Sequence, residues 1–278
     1  MQQNEKRKRI RNVIEIVIIA VLCALTVVLD FLPIPYLKDE FRNRMLGKII
    51  QQSCGIAAGI LLMLRLNIKL FGSPQKLLYL IPCMLVAIDN FQFSAYFQGE
   101  MQLVRTAPLD FILFGGYCLT VGLFEECIFR GVIFSILAGL LPNNKKGLEL
   151  SLITSSLVFG LAHLLNGFSL ATLLQVGYTT LTGALFGFCL IKTKNIFCCA
   201  MVHSVYNFCG LLFDKQMLGS GVEFDLGTIL TMVIVCVSVG VFLLIKLILY
   251  KEEERVVLYE KLGVRAVKEP KESTKSEE

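Results

Sequence analysis

The chain has 278 residues, 55% of them hydrophobic, and its mean hydropathy of +0.68 excludes an ordinary soluble domain. The net charge of +5 comes mostly from the first 11 residues and from short segments between apolar blocks, so it reflects membrane topology and not a nucleic-acid-binding surface. All ten cysteines lie in apolar stretches without the spacing of zinc sites or extracellular disulfides, and we interpret them as small packing residues.

The apolar residues form blocks of about 20 residues, the length that a helix needs to cross a bilayer. The pattern therefore predicts an all-α fold, a polytopic integral membrane protein with about eight transmembrane helices. The predicted spans are 13–32, 46–64, 77–97, 109–141, 150–165, 170–191, 196–213 and 226–250. The fourth block is too long for one straight crossing, so one of its ends is expected to lie outside the hydrocarbon.

Basic residues set the expected orientation in the cell membrane. Lysine and arginine are more frequent in the N-terminus and in the loops on its side, which predicts that both termini are cytoplasmic, although the segment 38–48 argues against this. We divide the chain into a basic cytoplasmic N-terminus (1–12), three N-terminal spans (13–107), a core (108–213), the last loop and span (214–250) and a charged tail (251–278). The basic N-terminus and the first span together are typical of a signal anchor. The tail is expected to be disordered.

The segment 121–131 places two adjacent carboxylates and an arginine inside an apolar span. A charge near the centre of a bilayer costs roughly 2.5 to 3.5 kcal/mol even on lenient insertion scales, so such a cluster indicates function. Glu126 and Arg130 are four residues apart and can form an ion pair on one helical face. Glu125 points about 100° away from that pair and is left without a partner.

The chain contains two histidines, and both fall inside predicted spans. His163 lies in the fifth span and His203 in the seventh, with Asn207 one turn further along the same face as His203. Helical rise brings these groups to depths comparable with that of Glu125. We therefore expect one polar pocket, closed by three helices.

A carboxylate and an imidazole in a poorly solvated pocket suit the abstraction of a proton from water, and Glu125 is the candidate base. His203 and Asn207 could donate hydrogen bonds to an oxygen that gains negative charge during cleavage of an amide or ester. Alternatively, Glu125, His163 and His203 could hold a divalent metal such as zinc with a bound water. The residues leave this choice open, although an HExxH motif is absent.

Structural explanations compete with each functional one. The pair of Glu126 and Arg130 is better explained as a buried ion pair that holds neighbouring helices in register, and Phe159 as a packing residue. Each histidine alone could be a packing residue, and Asn207 alone could join two helices. Five further polar residues within spans are candidates for lining an aqueous path, namely Asp89, Asn90, Gln175, Tyr178 and Thr182.

Three ordered motifs resemble those of the CPBP family of intramembrane proteases, which includes the CAAX prenyl endopeptidases and relatives linked to bacteriocin processing or immunity. They are EECIFRG at 125–131, FGLAH at 159–163 and HSVYN at 203–207. The resemblance covers about 109–213 and implies a membrane domain of eight helices. It also implies that Glu125 and His163 activate water, that His203 and Asn207 stabilise the oxyanion, and that Glu126 and Arg130 support the site.

The resemblance implies a hydrolase that performs proteolysis on a membrane-associated peptide or protein within the lipid bilayer. Members of the family are commonly called metalloproteases, and a metal-free glutamate mechanism has also been proposed for them. The substrate is expected to arrive from the cytoplasmic side or laterally between helices. Two other functions remain open at this point, a noncatalytic immunity or scaffold protein that binds a peptide and a proton-coupled transporter, which the absence of an internal repeat disfavours.

Overall fold

The computed structural model describes residues 13–15, 17–19, 21–22, 25–26, 38–221 and 226–264. Within these residues the chain is predominantly helical, and its β-structure is a single bridge between Leu103 and Gly219. The all-α class predicted from the sequence is confirmed. In chain order the helices are α1 (Glu40–Arg65), α2 (Leu80–Asp89), α3 (Phe93–Phe97), α4 (Pro108–Glu126), α5 (Phe134–Leu140), α6 (Lys145–Ala162), α7 (Leu170–Thr193), α8 (Ile196–Leu211), α9 (Leu226–Ile248) and α10 (Glu252–Lys261).

Four helical segments are long and apolar enough to cross a membrane, within the ranges that the structure describes. They are Glu40–Arg65, Lys145–Leu165, Thr172–Thr193 and Leu230–Ile248, and two shorter apolar helices cover Leu77–Asp89 and Ile196–Leu211. Large apolar side chains such as Leu85, Ile153 and Val237 are more than half exposed, as expected for surfaces that face lipid. The chain is thus a multi-pass membrane protein, while the count of eight spans is not confirmed.

The long fourth block is not one regular helix. α4 ends at Glu126, a π-helical segment covers Cys127–Ile133, and α5 continues to Leu140. Pro108 occupies the first turn of α4, where its missing N–H costs nothing. π-Helical turns are rare and often lie at functional sites. Here the π segment begins directly after the adjacent glutamates.

α4 and α8 approach each other closely at Gly122. A Cβ atom at this position would lie 2.8 Å from the carbonyl oxygen of Ala200 and 2.9 Å from the amide nitrogen of Ser204, both on α8. Only glycine permits this contact between the two backbones. One turn further along α4, the glutamates therefore face His203 on α8.

The C-terminal tail departs from the sequence prediction. The tail from residue 251 was expected to be disordered, but 252–261 forms α10, in which Leu258 and Tyr259 are buried. The carboxylate of Glu254 accepts hydrogen bonds from Lys76 and from Lys192, the latter at 2.8 Å. These contacts hold α10 against the core, which explains its order. Residues 265–278 lie outside the described residues.

Candidate active site

Glu126 and Arg130 form the ion pair that their spacing predicted. Glu126 Oε1 lies 3.0 Å from Arg130 Nη1, and both side chains are almost completely buried. Arg130 Nη2 also donates a hydrogen bond of 2.9 Å to the carbonyl of Gly183 on α7, and the guanidinium carbon lies 4.3 Å from the ring centroid of Phe159 on α6. The pair thus ties the end of α4 to both α6 and α7.

His203 lies between the two adjacent glutamates. Its Nδ1 is 2.9 Å from Glu126 Oε1, and its Nε2 is 3.5 Å from Glu125 Oε2. The imidazole is buried, whereas a quarter of the Glu125 side chain is exposed. The contact between His203 and Glu126 was not predicted, because it depends on the close approach of α4 and α8.

His163 ends α6 and is oriented by its own helix. Its Nδ1 lies 3.0 Å from the carbonyl oxygen of Phe159. Because a carbonyl oxygen only accepts hydrogen bonds, Nδ1 must carry the proton, which leaves Nε2 as an acceptor. The Phe159 ring stands edge-on to both imidazoles, at centroid distances of 5.0 Å to His163 and 5.7 Å to His203. Phe159 is thus a packing residue between the two histidines.

One cavity of about 610 Å³ contains all four predicted catalytic side chains on its wall, namely Glu125, His163, His203 and Asn207. Glu126 and Arg130 lie behind this wall. The polar residues that were candidates for an aqueous path line the same cavity: Asp89, Asn90, Gln175, Tyr178 and Thr182. The cavity is also lined by three polar residues that were not predicted from the sequence, Thr179, Tyr206 and Asp214. Thr179 could have been predicted, because it lies at helical spacing from Gln175 and Thr182 on α7.

The cavity occupies one end of the helix bundle. It is lined by the C-terminal halves of α2, α4, α6 and α8, by α3, by the N-terminal parts of α7 and α9, by Phe129 of the π-helical segment, and by residues 213–217 of the loop after α8. The opposite end carries α10, with Lys76 and Lys192 bound to Glu254 and with Lys145 donating to the Ile248 carbonyl. The cavity and α10 are therefore separated by much of the bundle length.

The predicted metal ligands do not form a metal-binding group. Among the described residues, no three His, Cys, Asp or Glu side chains are arranged so that they could hold a metal ion, and this includes the set of Glu125, His163 and His203. The zinc alternative is therefore not supported by the arrangement of the described residues.

The family comparison agrees with the position of the site. The family model for type II CAAX prenyl endopeptidase Rce1-like proteins matches residues 107–209, which include the cavity residues from Tyr117 to Asn207. No curated protein and no solved structure matches the chain. Residues 107–209 are therefore similar to type II CAAX prenyl endopeptidase Rce1-like proteins, which is consistent with the resemblance to CPBP family intramembrane proteases.

Proposed function

We propose that the protein is an intramembrane endopeptidase in which Glu125 and His163 activate water to hydrolyse a peptide bond of a membrane-associated substrate. The observation that carries this proposal is the contact between Glu125 and His203 on the wall of a cavity within the Rce1-like segment. A partly exposed carboxylate beside a buried imidazole is suited to proton transfer, not to packing.

Charge makes Glu125 a suitable proton acceptor. With neutral histidines, Glu125, Glu126 and Arg130 carry a net charge of −1 in a region of low dielectric constant. Uptake of a proton from water by Glu125 cancels this excess charge. The water oxygen then attacks the carbonyl carbon of the peptide bond, and the acceptor atom Nε2 of His163 can orient the water.

The tetrahedral intermediate requires hydrogen-bond donors. The side-chain amide of Asn207 lines the cavity one helical turn from His203, and it has no hydrogen-bond partner among the described residues. This amide can donate to the oxyanion. His203 adds a second donor only when its ring carries both protons, because a neutral ring uses its one N–H on the Glu126 carboxylate. When the C–N bond breaks, the protonated Glu125 returns its proton to the leaving amine nitrogen, which balances the reaction.

The test is a comparison of membrane peptides from cells that express the wild type or the Glu125→Gln variant. We expect peptides that depend on the wild type and disappear with the variant at equal protein level. Identical peptide profiles would show that the protein acts without cleavage, for example as a peptide-binding immunity or scaffold protein. Addition of a chelator to the purified enzyme is expected to leave cleavage unchanged, because no step of this mechanism uses a metal.

A further inference from the structure

Three side-chain amides on the cavity wall make no hydrogen bond with the described residues, those of Gln92, Gln175 and Asn207. A carboxamide carries an acceptor oxygen and a donor NH₂ group, just as a peptide bond carries a C=O and an N–H. Polar groups without partners are costly in an apolar region, so these amides require an explanation. Asn207 has a role in the proposed reaction, whereas Gln92 and Gln175 have none.

Gln92 is unfavourable for the fold in two respects. Its Oε1 atom is shielded from solvent and accepts no hydrogen bond within the described part of the chain, which lowers stability. Its backbone has a φ of 57° and a ψ of 52°, in the left-handed region that residues with a side chain rarely adopt. The residue as a whole is only half-buried on the cavity wall, so rotation of its side chain can turn the oxygen towards a bound molecule. Such a residue indicates contact with a ligand.

The position of Gln92 is fixed relative to the proposed oxyanion donor. Shortly before it in the chain, Asn90 donates a hydrogen bond of 2.9 Å from Nδ2 to the carbonyl of Tyr206 on α8. Tyr206 directly precedes Asn207. The segment that carries Gln92 is thus attached to α8 beside Asn207, so a peptide bond held at Asn207 lies in the same cavity as the Gln92 amide.

Gln175 provides a second free amide from another element of the fold. It lies half-buried on α7, on the wall of the same cavity. The hydroxyl of Thr179, one turn further along α7, donates to the backbone carbonyl of Gln175 at 2.6 Å and not to its side chain. The Gln175 amide therefore keeps its donors and its acceptor for a molecule in the cavity. A peptide that lies between α7 and the segment before α3 can thus be bound at two points.

We propose that Gln92 and Gln175 bind backbone N–H groups of the substrate, which lies in the cavity as an extended segment. This inference rests on the proposed function and adds to it how the substrate is held. The segment must be extended, because the N–H groups of a helix beyond its first turn are already bonded to carbonyls of the same helix. Hydrogen bonds to the main chain give affinity without selecting side chains. We therefore expect the enzyme to cleave different sequences, provided that the segment near the cleaved bond unwinds.

The experiment uses the purified full-length protein in phosphatidylcholine vesicles and a pool of synthetic hydrophobic peptides, whose cleavage is followed by mass spectrometry. The peptide that the wild type cleaves fastest is then synthesised with a single ester bond in place of a peptide bond, at one position after another but not at the cleaved bond. Each ester removes one N–H donor without adding bulk. For each glutamine we expect one position at which the ester lowers kcat/KM of the wild type about tenfold, the loss expected for one hydrogen bond.

Gln92→Met and Gln175→Met keep the length of the side chain and remove its amide. Each variant should cleave the peptide without esters about tenfold more slowly, and should lose its sensitivity to the ester at one position. The melting temperatures should not fall, because neither substitution removes a hydrogen bond between described residues. Gln102→Met, at an exposed glutamine outside the cavity, is the matched control and should keep every ester-sensitive position of the wild type.

A Met variant that keeps every ester-sensitive position of the wild type would overturn the role of its glutamine. A wild type without ester-sensitive positions would overturn the inference as a whole. In both cases the peptide is still cleaved, so the proposed function stands. Failure of the wild type to cleave any peptide would overturn the inference together with the proposed function.

Discussion

Adjacent residues of identical chemistry have different roles in this site because their burial differs. Glu126 is fully buried between Arg130 and His203, whereas the neighbouring Glu125 is partly exposed on the cavity wall. The first carboxylate is held by two partners in a fixed position, and the second can reach water. Burial thus separates a supporting glutamate from the proposed catalytic one.

This difference predicts unequal effects on stability. Glu126→Gln should destabilise the protein by about 3–5 kcal/mol, because it leaves the buried Arg130 without its counter-charge. Glu125→Gln should change the free energy of unfolding by less than about 1 kcal/mol. The Glu125 carboxylate is partly exposed and solvated, so its loss leaves no buried charge without a counter-charge. Thermal unfolding in detergent measures both variants. Equal melting temperatures for the two variants would contradict the proposed division of roles.

That the four proposed catalytic residues share one cavity could be predicted from the sequence, because polar groups in apolar spans are costly and must face one another. Glu125, His163, His203 and Asn207 accordingly line one cavity. The pairing of His203 with Glu126 could not be predicted in this way. It depends on the distance between two helices, which no pattern within either helix determines.

At the scale of helices, the contact between α4 and α8 at Gly122 positions the site. Gly122→Ala should push these helices apart, since its Cβ would meet the backbone of Ala200 and Ser204. We expect a lower melting temperature and a loss of cleavage activity. Gly115→Ala is the matched control on α4, because a Cβ there has no neighbour within 4 Å. An equally active and stable Gly122→Ala variant would show that the close contact is not required.

The length of the fourth block predicted that it could not be one straight crossing, but the type of interruption was not predictable. A π-helical segment depends on the residues packed around it, and here Arg130 within that segment binds Gly183 on another helix. α10 was missed for a similar reason. Its charged sequence is typical of disorder, and its order comes from buried contacts with distant residues.

α10 predicts a pH dependence of stability. Burial alone would raise the pKa of Glu254, but hydrogen bonds from Lys192 and Lys76 outweigh it and lower that pKa below its ordinary value. The folded pKa therefore lies below the unfolded pKa of about 4.3, so the stabilisation is complete above that pH. It is lost as the pH falls through the folded value.

The melting temperature, measured from pH 6 down to the lowest pH at which the protein stays soluble, tests this expectation. We expect the melting temperature of Glu254→Gln to fall less steeply at acid pH than that of the wild type. Glu253→Gln, an exposed neighbour on α10, should keep the pH dependence of the wild type. A wild-type slope that persists in Glu254→Gln would assign the acid sensitivity to another group.

On the scale of the whole molecule, the distribution of charge predicts an orientation in the membrane. The end of the bundle with α10 carries Lys76, Lys145 and Lys192, and the positive-inside rule favours this end in the cytoplasm. The cavity would then lie in the half of the membrane away from the cytoplasm. This geometry favours lateral access of the substrate and does not fit the expected access from the cytoplasmic side.

Reporter fusions test the orientation. A phosphatase that is active only outside the cytoplasm should be inactive when it is fused after residue 264 and active when it is inserted at Lys215, beside the cavity residue Asp214. The opposite pattern would place the cavity at the cytoplasmic side. The sequence predicted the membrane class from hydropathy alone, but the end at which the cavity lies follows only from the folded chain.

The most direct measurement of the central claim is the cleavage rate of a membrane peptide by the purified protein and by its Glu125→Gln variant in vesicles. Loss of a general base should lower the rate by about 10²–10⁴-fold while the melting temperature stays close to that of the wild type. A variant that folds normally and cleaves at the wild-type rate would contradict the claim that Glu125 activates water.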